Sequence, residues 1–173
     1  MVLTYSDPLQ SPAYRTGWAV LIAATAVILL ALAFEYVGHY EPCALCLKQR
    51  YAYYAAMPAL FLALVLVAAQ RSAMAALIFG AVALAFVANA GLGVYHAGVE
   101  WKFWPGPETC AATPKGLSTD AGNLLNQLKT IRVARCDEAP WSFMGLSFAG
   151  WNVVISLMLA AGAASAAMKA LRD

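Results

Sequence analysis

Four side chains in this sequence can carry electrons as thiols: Cys43, Cys46, Cys110 and Cys136. Two of them stand in "EPCALCLKQR", residues 41 to 50, as a Cys-x-x-Cys pair with Lys48 and Arg50 close behind. Such a pair exchanges with other thiols, closes a small disulfide ring or binds metal. The thiolate is the reactive form, and its free pKa of about 8.5 falls beside cations and at a helix N-terminus. Both influences are at hand. Lys48 and Arg50 are within a turn, and Pro42 keeps a preceding helix from running through Cys43, so that a following helix starts near the pair. Cys46 is then the expected stabilised thiolate and Cys43 the exchanging partner. A static staple is the alternative, but a ring this small removes little entropy from the unfolded chain.

Arg50 follows Cys46 by four residues, so the two share one helix face. An arginine at a membrane edge often only snorkels to lipid phosphates. Here its guanidinium can also stabilise a thiolate or hydrogen-bond a carbonyl oxygen of an acceptor entering from the bilayer. Cys110 and Cys136 lie 26 positions apart, a loop and not the close pairs of a structural zinc site. A disulfide between them would close a loop of about 27 residues and contribute roughly 3 kcal/mol by the chain-entropy model. Cys110 also follows the Pro-rich "WKFWPGPETC", an extended arm open to a partner's thiolate. His39 and His96 fall near the same membrane face, but nothing in their spacing demands haem.

The elements that must position these groups are membrane spans. The chain is 62% hydrophobic and 12% charged, with a mean hydropathy of +0.67, against about 25% charged residues in soluble domains. Four runs are long enough to cross a bilayer, near 17–37, 51–69, 73–99 and 148–168. Pro58 inside the second is tolerable when neighbours re-satisfy its freed carbonyl. The expected fold is an all-α membrane protein, one four-helix domain over 1–173, with loops near 38–50 and 100–147 on one side and both termini on the other. In the longer loop, "STDAGNLLNQLKTIRVARC" carries an apolar stripe, with Ser118 or Thr119 as a cap, and reads as a short helix on the membrane surface. A net charge of +2 without a basic cluster argues against nucleic acid.

Even spans place all four cysteines at one end. Counting Lys and Arg, the terminal side has Arg15, Arg71, Lys169 and Arg172, while the cysteine side holds seven. Taken literally, the positive-inside rule opposes a cysteine side that faces outward. Working disulfides, however, belong on an oxidising face such as the bacterial periplasm, and orientation is assigned on that chemistry. The first span, with "ALA" at 31–33, is read as an uncleaved anchor because it is longer than a signal h-region.

Taken together, "PCALCLKQR", "YHAGVEWKFWPGPETC" and "RCDEAPWSFMGLSFAGW" on four spans resemble the DsbB family of bacterial inner-membrane disulfide-forming proteins, over nearly the whole chain. The resemblance implies a quinone-dependent thiol oxidase that reoxidises a periplasmic DsbA-like protein, with both termini cytoplasmic. It implies that Cys110 forms the mixed disulfide with that partner and is itself paired with Cys136. Cys43 exchanges with Cys136. Cys46 contacts the quinone, ubiquinone or menaquinone, beside Arg50, and His96 in "YHAG" matches a family histidine expected to help bind it. No metal is implied. Gln49 stands where some relatives have an acid, and Phe148 where some have Met near the quinone. Two rivals remain at this point. A relative of vitamin K epoxide reductase would usually carry its Cys-x-x-Cys late in the chain, and here it comes early. The other is a non-enzymatic bundle braced by disulfides.

Overall fold

The computed structural model describes residues 11–107 and 135–172. Four long helices, α1 (Pro12–Tyr36), α2 (Ala44–Ala68), α3 (Ser72–Glu100) and α4 (Phe148–Ala170), form an antiparallel bundle. They pack in the ring order α1–α2–α3–α4, with α4 returning against α1. All four are long and apolar enough to cross a membrane. Leu29, Leu30, Leu77, Leu84 and Phe61 point outward and are more than half exposed, a surface that lipid solvates and water would not. The surface helix expected after Ser118 falls outside the described residues.

The helix ends follow from local chemistry. Ser11 caps α1, accepting the Tyr14 amide at 3.3 Å, and Pro12 takes the first helical position, where no amide partner is needed. Cys43 caps α2 in an extended conformation. The helix begins at Ala44, seven residues before the apolar run at 51–69, so Cys46, Lys48, Gln49 and Arg50 all ride on its first two turns. It continues through Pro58. Gln70, with φ 59°, makes the tight α2–α3 turn. A small hairpin of β1 (Ser142–Phe143) and β2 (Leu146–Ser147) leads into α4. Its central residues, Met144 and Gly145, both have positive φ, as a two-residue hairpin turn of the primed kind requires.

Small residues let the helices close. A Cβ on Gly17 of α1 would stand 2.6 Å from Phe79 of α3, and one on Gly93 of α3 would stand 2.8 Å from Val153 of α4. One polar cluster crosses the interior. Tyr53 donates to Asn152 Oδ1 at 3.0 Å, and Asn89 donates to Ser156 Oγ at 3.0 Å and to the same Asn152 oxygen at 3.3 Å. At the end that holds the chain's described termini, Lys169 of α4 donates to Thr16 of α1 at 2.7 Å. The opposite end gathers the C-termini of α1 and α3 and the N-termini of α2 and α4. The thiols lie there.

Candidate thiol site at one end of the bundle

Because Cys43 is the N-cap of α2, its sulfur sits where the helix leaves amides unpaired. Cys43 Sγ accepts the Cys46 N–H at 3.3 Å, and the two sulfurs hydrogen-bond at 3.1 Å. Both are free thiols, Cys43 buried and Cys46 partly so. The Cys46 thiol beside it, above all, holds Cys43 down to about 4 from an ordinary 9.0. Burial opposes this, while His96 and the Cys46 amide add to it. Cys46 does lie near the helix N-terminus, as expected, but the cap position belongs to Cys43, and the hydrogen bond between the two sulfurs favours the charge on Cys43 over Cys46.

The α3-facing side of the pair is closed and polar. His96, 2% exposed, brings Nε2 to 3.6 Å from Cys43 Sγ. Its Nδ1 lies 3.2 Å from Gln49 Nε2, and its Nε2 3.9 Å from Glu100 Oε1. Glu100 in turn accepts from Ser147, the cap of α4, which ties α3 to α4 at this end. Cys136 reaches in from the segment before β1, 1% exposed, and packs with Cys43, Leu45 and Val99. The donor atoms of Cys43, His96 and Cys136 all lie within 4.8 Å of one another. Cys136 is disulfide-bonded and so offers no thiolate. This donor set therefore suits thiol exchange and not a zinc site.

The α1-facing side is different. Arg50, one turn beyond Cys46, turns to α1, where it pairs with the Glu35 carboxylate and donates to the Ala31 carbonyl at 3.4 Å. Their side chains are only 13% and 24% exposed. Beside Glu35, Phe34 heads an aromatic cluster: its ring is 5.1 Å from Phe148 and 5.6 Å from Trp141, and those two stack at 4.9 Å. A fixed guanidinium can donate to a carbonyl oxygen, and the aromatic cluster is a separate flat apolar surface carried by the same end of α1.

Of the six site residues read from sequence, the structure gathers Cys43, Cys46, Cys136 and His96 within one cluster. Arg50 stands on the other side of α2, and Cys110 lies outside the described residues. Gln49 and Glu35 were not assigned to the site from sequence. Glu35 had a signal, a lone acid inside an apolar run. Gln49 had only its place three residues after Cys46.

Comparison with known proteins agrees with this arrangement. The family model for disulfide bond formation protein DsbB matches residues 14–166. A disulfide bond formation protein B of Methylococcus capsulatus is 32% identical over 156 residues, 87% of this chain and 92% of the relative. One of Shewanella sp. strain MR-4 is 30% identical over 142 residues, 81% of this chain and 79% of the relative. No solved structure matches. With four membrane-length helices, a capped Cys-x-x-Cys and a further buried cysteine at one end, the chain belongs to the DsbB family of membrane disulfide bond formation proteins.

Proposed function

We propose that this chain is a quinone-dependent thiol oxidase of the bacterial inner membrane, with its cysteine end facing the periplasm and both termini in the cytoplasm. The observation that carries the reading is the row of sulfurs. Cys43 Sγ lies 3.1 Å from Cys46 Sγ and within 4.8 Å of Cys136 Sγ, and Arg50 stands one turn further along α2. A row of this kind can pass a disulfide from one end to the other by successive exchange.

In this reading, a reduced DsbA-like protein gives its electron pair to the Cys110–Cys136 disulfide through a mixed disulfide at Cys110. Cys136 then attacks Cys43, and the pair moves to Cys43 and Cys46. A quinone supplies the final two-electron acceptor. Arg50 orients it by donating to a carbonyl oxygen, with Glu35 and Ala31 holding the guanidinium in place. Phe34, Trp141 and Phe148, at the same end of the bundle, would offer apolar surface to its ring. Cys46 faces the acceptor and Cys43 then bonds to Cys46: the Cys43–Cys46 disulfide re-forms, and the two electrons and two protons would leave with the quinone as its hydroquinone. His96 lies against Cys43 and across α2 from Arg50, which supports a part in the thiol steps beside the quinone contact that the family resemblance implies.

The test is quinone reduction by the purified full chain, followed optically, with a reduced DsbA-like protein as donor. Turnover by wild type and none by Cys46→Ser or Cys110→Ser is the expected result. Normal turnover by Cys46→Ser would overturn the route.

A further inference from the structure

Resting on the thiol-oxidase reading above, we infer that Gln49 is a positioning residue. It fixes His96 in the tautomer whose Nε2–H donates to the Cys43 sulfur, so that Cys43 departs as a stabilised thiolate during exchange.

With the Gln49 carboxamide turned nitrogen-first toward the imidazole, the hydrogen-bond inventory selects one tautomer. The amide nitrogen of Gln49 carries only protons, so at 3.2 Å from His96 Nδ1 it donates and Nδ1 accepts. A neutral imidazole has one N–H, which must then sit on Nε2. That nitrogen is 3.6 Å from Cys43 Sγ, within hydrogen-bonding range for sulfur. Glu100 Oε1, at 3.9 Å, faces the same nitrogen as a charge and is too far to accept a hydrogen bond. Among the described residues, the other titratable group facing the imidazole is Cys43 of α2, with Cys46 behind it; the disulfide-bonded Cys136 lies alongside. Gln49 and His96 are 5% and 2% exposed, so water does not compete for these bonds. A glutamate at position 49 would accept where the glutamine donates, and would draw the proton to Nδ1. The carboxamide is therefore a chemical choice and not only a spacer.

The electron accounting shows where this matters. The Cys136 thiolate attacks Cys43 Sγ; a Cys136–Cys43 bond forms, the Cys43–Cys46 bond breaks, and the electron pair leaves on Cys46. The Cys110 thiolate then attacks Cys136; the Cys110–Cys136 bond forms, the Cys136–Cys43 bond breaks, and the pair leaves on Cys43. The loop pair is oxidised and the Cys43–Cys46 pair reduced. In the second step Cys43 is the leaving group, and a leaving thiol of lower pKa departs faster. The Cys46 amide and the His96 Nε2–H both point at the sulfur that must take the charge.

The experiment uses the full chain in bilayers, with 15N-labelled histidine and no quinone or partner. Wild type should show a protonated Nε2 and a bare Nδ1 at His96. Gln49→Glu, close in shape, should move the proton to Nδ1, and Gln49→Leu should give a mixture. In parallel, dithiothreitol reduction of the Cys43–Cys46 disulfide is followed by alkylation at Cys43. Gln49→Leu should slow it roughly tenfold, as loss of a hydrogen bond to a charged group implies, and Gln49→Glu should change its pH profile. A protonated Nδ1 in wild type would overturn the inference. So would wild-type reduction rates in both variants. A failure of the oxidase reading itself looks different: the tautomer and the dithiothreitol rates hold, but quinone is not reduced.

Discussion

The two sides of the first turns of α2 are built from different physics. Toward α3, Cys43, Gln49 and His96 make a buried set of hydrogen bonds, with Glu100 and Cys136 close by. Toward α1, Arg50 and Glu35 make an ion pair, and the neighbouring Phe34 carries an aromatic cluster. A thiolate needs donors and exclusion of water, and the α3 side supplies them. A carbonyl compound arriving through lipid needs a fixed cation and flat apolar surface, and the α1 side supplies those. One helix, turning about 100° per residue, puts Gln49 and Arg50 on different neighbours although they are adjacent in sequence. The lesson is that a Cys-x-x-Cys at a helix start can serve two chemistries because its helix faces two partners.

The sharpest way to break this comparison is to remove the sulfurs that join the sides. Cys43→Ser and Cys46→Ser should each lower quinone turnover to background, while the bundle keeps its helical content by circular dichroism. Next in size is a change confined to one side. Arg50→Met should raise the quinone KM by roughly ten- to a hundredfold, the worth of a charge-assisted hydrogen bond. It should leave dithiothreitol reduction of the Cys43–Cys46 disulfide nearly unchanged. Glu35→Gln should act in the same direction and less. If Arg50→Met slowed the thiol step as much as the quinone step, the two sides would not be separable.

The pH dependence sharpens the α3 side. Cys43 is held down to about 4 from an ordinary 9.0. A depressed folded-state pKa means that the reduced protein gains stability from the thiolate that is fully present above the unfolded value. That gain shrinks as pH falls and is lost through the folded value. Thermal unfolding of the reduced chain should therefore show a loss of stability from about pH 9 down to about 4 that Cys43→Ser does not share. Alkylation of Cys43 should likewise persist well below pH 7. The smallest effect lies away from both sides. Tyr53→Phe removes one interhelical hydrogen bond to Asn152 and should cost about 0.6 kcal/mol of stability, the average for such bonds in membranes, with turnover intact.

Much of the fold was legible because lipid imposes it. Long apolar runs admit only helices, and an even number of them places the cysteine loops at one end. The helix starts were less so. The apolar run begins at Tyr51, but α2 begins at Ala44, because Lys48, Gln49 and Arg50 interrupt the hydropathy while the Cys43 cap starts the helix before them. That shift also explains the exchange of roles between Cys43 and Cys46. A helix start is readable from sequence only to within a few residues, which is too coarse to say which cysteine of the pair holds the cap. Arg50 follows Cys46 by one turn, as i, i+4 spacing requires, but its side chain turns to α1 while Cys46 stays against Cys43. His96 was read from a motif alone, since the contact between α2 and α3 that brings it to Cys43 depends on how the bundle packs. Glu35 was visible as an anomaly, but its partner was not.

The claim that joins both sides is that Cys136 and Cys43 exchange directly. It is tested by mild oxidation of the full-length Cys46→Ala, Cys110→Ala double variant, followed by peptide mapping without reduction. The account predicts a disulfide-linked Cys43–Cys136 peptide pair as the main product. Recovery of both cysteines as separate, alkylatable thiols under conditions that oxidise the wild-type pairs would contradict it.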